Sequence, residues 1–351
     1  MPGRPVVPIW KTIPLRLLAL AQRYPGTIAA FGFASGVVSF FTVERHESFA
    51  RVIAAVMLLS WIWLMLERAL RRRIAQRFGW TIPIPVLRYG TQMIHQEGLF
   101  FVLPFLYTAT TWNSGQALFT GLVGAAALIA LVDPLYFRWL STRRWVFLTY
   151  HTFTLFVVLL TALPLVLHIP TGNSYKLALG VAVLLSFPTL AELVSLDARW
   201  RRWAVVGLML ALGSVGWLLR LWVPPATLWL TEVAISTSMD SLNMKAGERL
   251  RAVTPAQMRD QGIYAYTAIN APLGLEEHIY HVWLHDGREV DRIALDIRGG
   301  RKEGYRAWTH KQNFPADSGG RWQVKVVTDT GQMIGTLRFR VEGDHEPAAA
   351  P

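Results

Sequence analysis

No cysteine occurs among the 351 residues, so the chain carries no disulfide framework and no thiolate metal site. Charge is also scarce: 17% of residues are charged against 52% hydrophobic, and the mean hydropathy is +0.31. That balance is too apolar for a chain surrounded by water on every side, and it points to lipid as part of the solvent. Acidic residues are rarest early in the chain. Residues 1–223 hold 20 Lys/Arg against 7 Asp/Glu, and residues 224–351 hold 15 against 16. The net charge of +12 therefore belongs to the apolar part, and the near-neutral remainder argues against a nucleic-acid partner. Common catalytic signatures are missing as well: there is no HExxH, no GxxxxGK[ST], no GxSxG and no GxGxxG after a strand. No cofactor is expected.

What is present is a series of apolar stretches. A helix needs about 20 mostly apolar residues to cross roughly 30 Å of hydrocarbon. Seven stretches meet or approach that length, at 26–43, 49–66, 94–112, 115–133, 145–167, 174–192 and 203–223. Before them, residues 1–25 carry Arg4, Lys11, Arg16 and Arg23 with a short apolar LLALA. This segment reads as cytoplasmic, with an interfacial amphipathic helix at 12–22 rather than a signal peptide.

Arginine placement gives the expected orientation. With the N-terminus inside, the inward segments hold 16 basic residues, and the outward ones hold only Arg45, Arg51, Lys176 and Arg220. Positive residues resist translocation, so this asymmetry predicts a cytoplasmic N-terminus and an outer C-terminal part. Gly32 and Gly36 form a GxxxG face on the first stretch, suited to packing within the chain or to a homodimer.

After Pro224 and Pro225 the pattern changes to short alternating runs separated by turn dipeptides such as Asp286-Gly287. In residues 321–326, Trp322, Val324 and Val326 share one face while Arg321, Gln323 and Lys325 share the other. The expectation is an all-β, immunoglobulin-like antiparallel sandwich over 224–342, following a seven-helix all-α membrane domain over 26–223, with 343–351 as a disordered tail.

The segments FASGVVSFFTVER, HQEGLFFVLPF, HVWLHDGREV, GYRAWTHK and GGRWQVKVVTDTGQMIG resemble a bacterial inner-membrane family with a multi-pass N-terminal region and a C-terminal periplasmic domain of unknown function. The resemblance implies an inner-membrane location and a periplasmic β-domain. It implies no catalytic residue.

Two constellations are candidates for function. Glu67, His95, Glu97, Asp133, His151 and Glu192 all fall at the inner ends of the expected spans. Ionisable groups there face partners or water, so this set can hold a divalent metal (His95, Glu97, Asp133, His151), relay a proton, bind a cationic head group, or pair with the arginines at 71–73 and 143–144. On the β-rich part, His281 and Trp283 lie on one strand face, and Arg306 and Trp308 on another, followed by Lys311. An exposed Trp, Arg and His surface suits a periplasmic protein or an envelope polymer; the alternative is that these tryptophans form the core.

Three functions follow. One is an anchor or sensor that presents the β-sandwich to an envelope component or protein partner. Another is a transporter or channel in which Pro104 and Pro188 break helices near Glu97 and Glu192. The third is a membrane-embedded metal-dependent lipid hydrolase.

Overall fold

The computed structural model describes residues 84–342 apart from 195–196, 273, 299–303 and 316, together with Ala34, Val38, Ala55, Leu59, Arg73, Gln76 and Arg77. The stretches expected at 26–43 and 49–66, apart from Ala34, Val38, Ala55 and Leu59, lie outside the described residues, as do the helix at 12–22, the Gly32/Gly36 face and the tail at 343–351. Among the described residues five long helices precede the strands: α1 (Ile84–Ala109), α2 (Gln116–Leu131), α3 (Arg144–Leu167), α4 (Thr171–Leu193) and α5 (Ala198–Leu218). A π-helix, Pro134–Leu140, follows α2, and a 3-10 turn, Leu219–Trp222, follows α5.

The seven-span reading is overturned. Among the described residues two helices are long and apolar enough to cross a membrane, Arg144–Leu167 and Arg199–Trp222. Counting α2 and the π-helix as one bent span, across a 94° break, makes three. The physical reasons are local. α1 carries Arg88, Gln92, His95, Gln96 and Glu97 within its length. α2 stops after 16 residues, just before Asp133-Pro134, because proline has no N–H to continue the ladder. The apolar run of α4 is interrupted by Asn173, Ser174, Lys176, Ser186 and Glu192. The expected breaks at Pro104 and Pro188 are absent too, since α1 and α4 continue through both positions.

The chain divides into two units, the first including residues 84–103 and Val123–Val158, the second including Pro104–Leu122 and residues 159–342. In the first, Leu99, Phe101, Val102, Val123, Ala130, Tyr136 and Leu155 are buried. In the second, α4 packs on α5, with the Tyr175 hydroxyl donating to the Gly216 carbonyl at 2.5 Å.

The rest of the second unit is β-rich: β1 (Trp229–Ser236), β2 (Met239–Asp240), β3 (Lys245–Ala246), β4 (Ala252–Val253), α6 (Pro255–Gln261), β5 (Ile263–Asn270), β6 (Glu276–His285), β7 (Arg288–Arg298), β8 (Tyr305–Lys311), β9 (Gly320–Thr328) and β10 (Met333–Val341). A three-stranded sheet, β1-β5-β8, faces a five-stranded sheet, β4-β10-β9-β6-β7, and β2 and β3 pair separately. Both sheets contribute to one core, including Ile235, Ala265, Ile269, Trp283, Trp322, Val324 and Phe339. Alternation explains the choice: every second residue of β9 from Trp322 to Val326 is buried, as a pleated strand with one covered face requires. The β6–β7 hairpin turns through Asp286 (φ 44°) and Gly287 (φ 83°), and the Asp-Gly pair suits the two positive φ angles of such a turn.

Candidate functional site

In the helical unit, Gln92, His95, Gln96 and Leu99 stand at i, i+3, i+4 and i+7 of α1, and all four are buried. This is an ordinary inward stripe with three polar residues on it. Gln92 has an identifiable task. Pro134 lacks an N–H, so the Ala130 carbonyl loses its donor four residues on. The Gln92 amide supplies one at 3.0 Å and also donates to Asp133 Oδ1 at 2.7 Å.

One turn on, His95 lies between two partners. Its Nδ1 is 2.8 Å from the Tyr136 hydroxyl, and its Nε2 is 3.0 Å from His151 Nδ1. Tyr136 is placed by the π-helix, a geometry frequent at functional sites. The aromatic rings of Phe147 and Tyr150 meet the His95 ring edge-on, at 5.8 and 5.1 Å. The chain can be polarised in two ways. Either Tyr136 O–H donates to His95 Nδ1 and His95 Nε2–H donates to His151, or both bonds reverse. Moving one proton through it interchanges the two arrangements, which is what a proton relay does.

The structure thus brings together His95 and His151. Glu97 is half-buried on α1, two residues on and so off the stripe. Asp133 bonds to Gln92. Glu67 lies outside the described residues, and Glu192 ends α4 with its side chain outside them. Among the described residues no three His, Asp or Glu side chains converge where a metal ion could be held, so the proposed set of His95, Glu97, Asp133 and His151 is not gathered. Gln92 and Tyr136 are the residues that sequence reasoning missed. Gln92, spaced i−3 from His95 on the buried stripe, was the available signal.

On the β-sandwich the candidate face divides. His281 and Trp283 are 0% exposed and point into the core. His281 sits between the hydroxyls of Thr267 and Thr309, each at 3.1 Å, and Trp283 Nε1–H donates to Thr309 at 3.2 Å. Burial holds the His281 imidazole well down, at about 3, so it is neutral. Lys311 is also inward and nearly buried, paired with Asp291 at 3.0 Å. Arg306 and Trp308 lie on the opposite side of β8, half-buried. There Trp308 packs against Tyr266 and Ala268, and Tyr264 stacks on His310 with ring centroids 3.9 Å apart. The aromatic, basic outer surface of the three-stranded sheet is therefore Tyr264, Arg306, Trp308 and His310.

A third feature lies within the second unit, where the β-sandwich is fastened to helix ends. Gln116 donates to the Met333 carbonyl at 2.8 Å, the Thr171 amide to Glu277 Oε2 at 2.8 Å, Arg220 Nε to the Thr330 carbonyl at 3.1 Å, and Gln332 to the Val223 carbonyl at 3.0 Å. Gly172 lies so close to Thr330 that a Cβ there would stand 2.7 Å from its methyl group. Glu277 serves as a cap for α4 delivered from another element, since the first amides of a helix have no partner within it. Burial is the main force that pushes its carboxyl up to about 7; Asp329 adds to this, and the bond from the Thr171 amide and the nearby His278 oppose it.

The fold and these sites define a two-part protein in which apolar helices carry a buried polar chain and a β-sandwich is bonded to helix ends. The chain belongs to the family of unknown function DUF5924, whose model matches residues 7–265. Residues 276–341 match the model of a second group, described as a protein of unknown function (DUF2914). No curated protein matches. Among solved structures, a Pseudomonas fluorescens alkylpurine DNA glycosylase AlkC bound to DNA containing an abasic site analog aligns over 85% of this chain and 98% of its own, at 12% identity and a TM-score of 0.23. That score supports no argument about this protein.

Proposed function

We propose that the protein is a sensor of the bacterial inner membrane, held there by its apolar helices, α3 and the stretch Arg199–Trp222 among them, with its N-terminus in the cytoplasm and its β-sandwich in the periplasm. The sandwich recognises a periplasmic protein or envelope polymer through the outer surface of the three-stranded sheet. One observation carries the reading: the β-sandwich is bonded to helix ends by Gln116, Glu277, Arg220 and Gln332. A tethering domain needs no such fastening; a domain that passes on a bound state does. The orientation is supported by Arg199, Arg201 and Arg202 at one end of α5 and the β-sandwich beyond the other.

The test is in cells. A photo-crosslinking residue at position 308 should give a discrete adduct, and one at exposed Val290 on the other sheet should not. An alkaline phosphatase fused after Val341 should be active. Equal adducts at both positions, or a silent phosphatase, would overturn the reading.

A second reading, a proton-coupled transporter, is favoured by the Tyr136–His95–His151 chain. Proton flux in proteoliposomes should then be lost in His95→Gln and Tyr136→Phe; flux that survives both removes it.

A further inference from the structure

α4 and α5 touch closely at one level, where Gly216 meets Leu179 at a distance that leaves no room for a Cβ. Elsewhere they part around an open groove of about 840 Å³, lined almost wholly by apolar groups. Gly180, Gly213 and Ser214 deepen it, Trp217 flanks it, and Lys176 is the one cation lining it. From Lys176 to Leu184 the groove follows α4 for roughly 12 Å at about 1.5 Å per residue. That is most of one leaflet of a hydrocarbon core about 30 Å thick.

Among the described residues the surface around this groove is bare. Only 6% of the apolar window of Arg199–Trp222 is buried, and Leu184, Leu210 and Leu218 are all largely exposed. Among the described residues Lys176 reaches only Asn173 Oδ1, at 3.3 Å. The other nearby cation is committed elsewhere: Arg220 lies over the Trp217 ring at 4.5 Å and donates to the Thr330 and Trp217 carbonyls.

We propose that this groove is a binding site for one anionic phospholipid, with an acyl chain between α4 and α5 and the phosphate on Lys176. Charge decides the occupant. A second copy of the chain packed here about a twofold axis along the membrane normal would set a second Lys176 at the same depth, like charge against like, with no acidic side chain lining the groove to offset it. A phosphate brings the missing negative charge and accepts the ammonium hydrogens, while the acyl chain covers apolar surface that the protein leaves open. The proposal rests on the membrane reading above, and the two can fail separately.

The experiment uses the full-length chain purified in mild detergent and titrated with phosphatidylglycerol or phosphatidylethanolamine, with native mass spectrometry counting bound lipid. One phosphatidylglycerol should bind at least tenfold more tightly than phosphatidylethanolamine. Lys176→Gln should remove that preference and Lys176→Arg should keep it. Gly213→Leu should block the acyl chain and weaken both lipids; the nearest atom to a Cβ at position 213 is a Val183 methyl group at 3.7 Å, so the substitution projects into the groove without a backbone clash. Equal binding of the two lipids to the wild type, or unchanged binding in Gly213→Leu, overturns the proposal. So does a dimer that Gly213→Leu dissociates. Release of the wild-type protein from membranes by alkaline carbonate overturns the membrane reading itself.

Discussion

Glu277→Gln tests the fastening of the β-sandwich most directly. Glu277 is 2% exposed, accepts from the Thr171 amide through Oε2, and its Oε1 and the Thr171 hydroxyl are both buried without a hydrogen bond. Burial in this position favours the neutral carboxyl over the carboxylate. The groups around it are Thr171 on α4, Asp329 at the β9–β10 turn and His278 on its own strand. The carboxyl is raised from 4.5 to about 7, so the docked state takes up a proton that the undocked state has released. The sign follows from this. The stabilisation is complete below pH 4.5, falls as the pH rises towards 7, and is gone above it. At 1.36 kcal/mol per unit the loss is about 3 kcal/mol, on the order of a hundredfold in the opening equilibrium. Hydrogen–deuterium exchange at the start of α4, corrected for intrinsic rates, reads that equilibrium. Wild-type protein should open progressively more between pH 5 and pH 8. Glu277→Gln, whose amide can accept from Thr171 N–H and donate to its hydroxyl, should be flat and stay closed at pH 8. Identical pH profiles for the two proteins, or wild-type opening that falls with pH, would refute the reasoning.

Three further outcomes are expected. Thr309→Val strips partners from His281 and Trp283 in the sandwich core and should cost about 1–3 kcal/mol in denaturant unfolding, whereas Thr309→Ser should restore most of it. Asp291→Asn leaves the nearly buried Lys311 ammonium unpaired; because Asp291 is 42% exposed, the loss should be about 1 kcal/mol rather than the 3–5 of a sealed pair, and Lys311→Met should be neutral. Gln92→Leu removes the donor to the Ala130 carbonyl and to Asp133 and should lower helical-unit stability by roughly 1–3 kcal/mol, read as a lower melting temperature in detergent; an unchanged value would show that the proline gap needs no filling.

Strand parity was legible in the sequence, but the direction of the core was not. Arg306, Trp308 and His310 share a face, as their spacing requires. On β6 the apolar Tyr280, Val282 and Leu284 look like the buried set, yet the interior takes His281 and Trp283. Thr267 and Thr309, on strands far away in sequence, supply the hydrogen bonds that make this tolerable. Val282 and Leu284 instead join Val327 in a separate apolar cluster. Among the helices, counting apolar residues overstated the spans because it ignored the stop at Pro134 and the polar stripe of α1. The pairing of His95 with His151 was within reach of a depth argument. Tyr136 was not, because a tyrosine in an apolar run reads as packing until its hydroxyl is seen to have a partner.

The chain passes from the 3-10 turn ending at Trp222 to β1 at Trp229 across a short connection, and Val223 within it is hydrogen-bonded from Gln332. There is no slack to pay out. A module fixed so near its own support cannot fish through the surrounding space, so whatever it engages must come within its short reach already oriented. In exchange little rotational freedom remains to be lost on capture, and a flexible insert after Pro225 would lengthen the cast while weakening the grip.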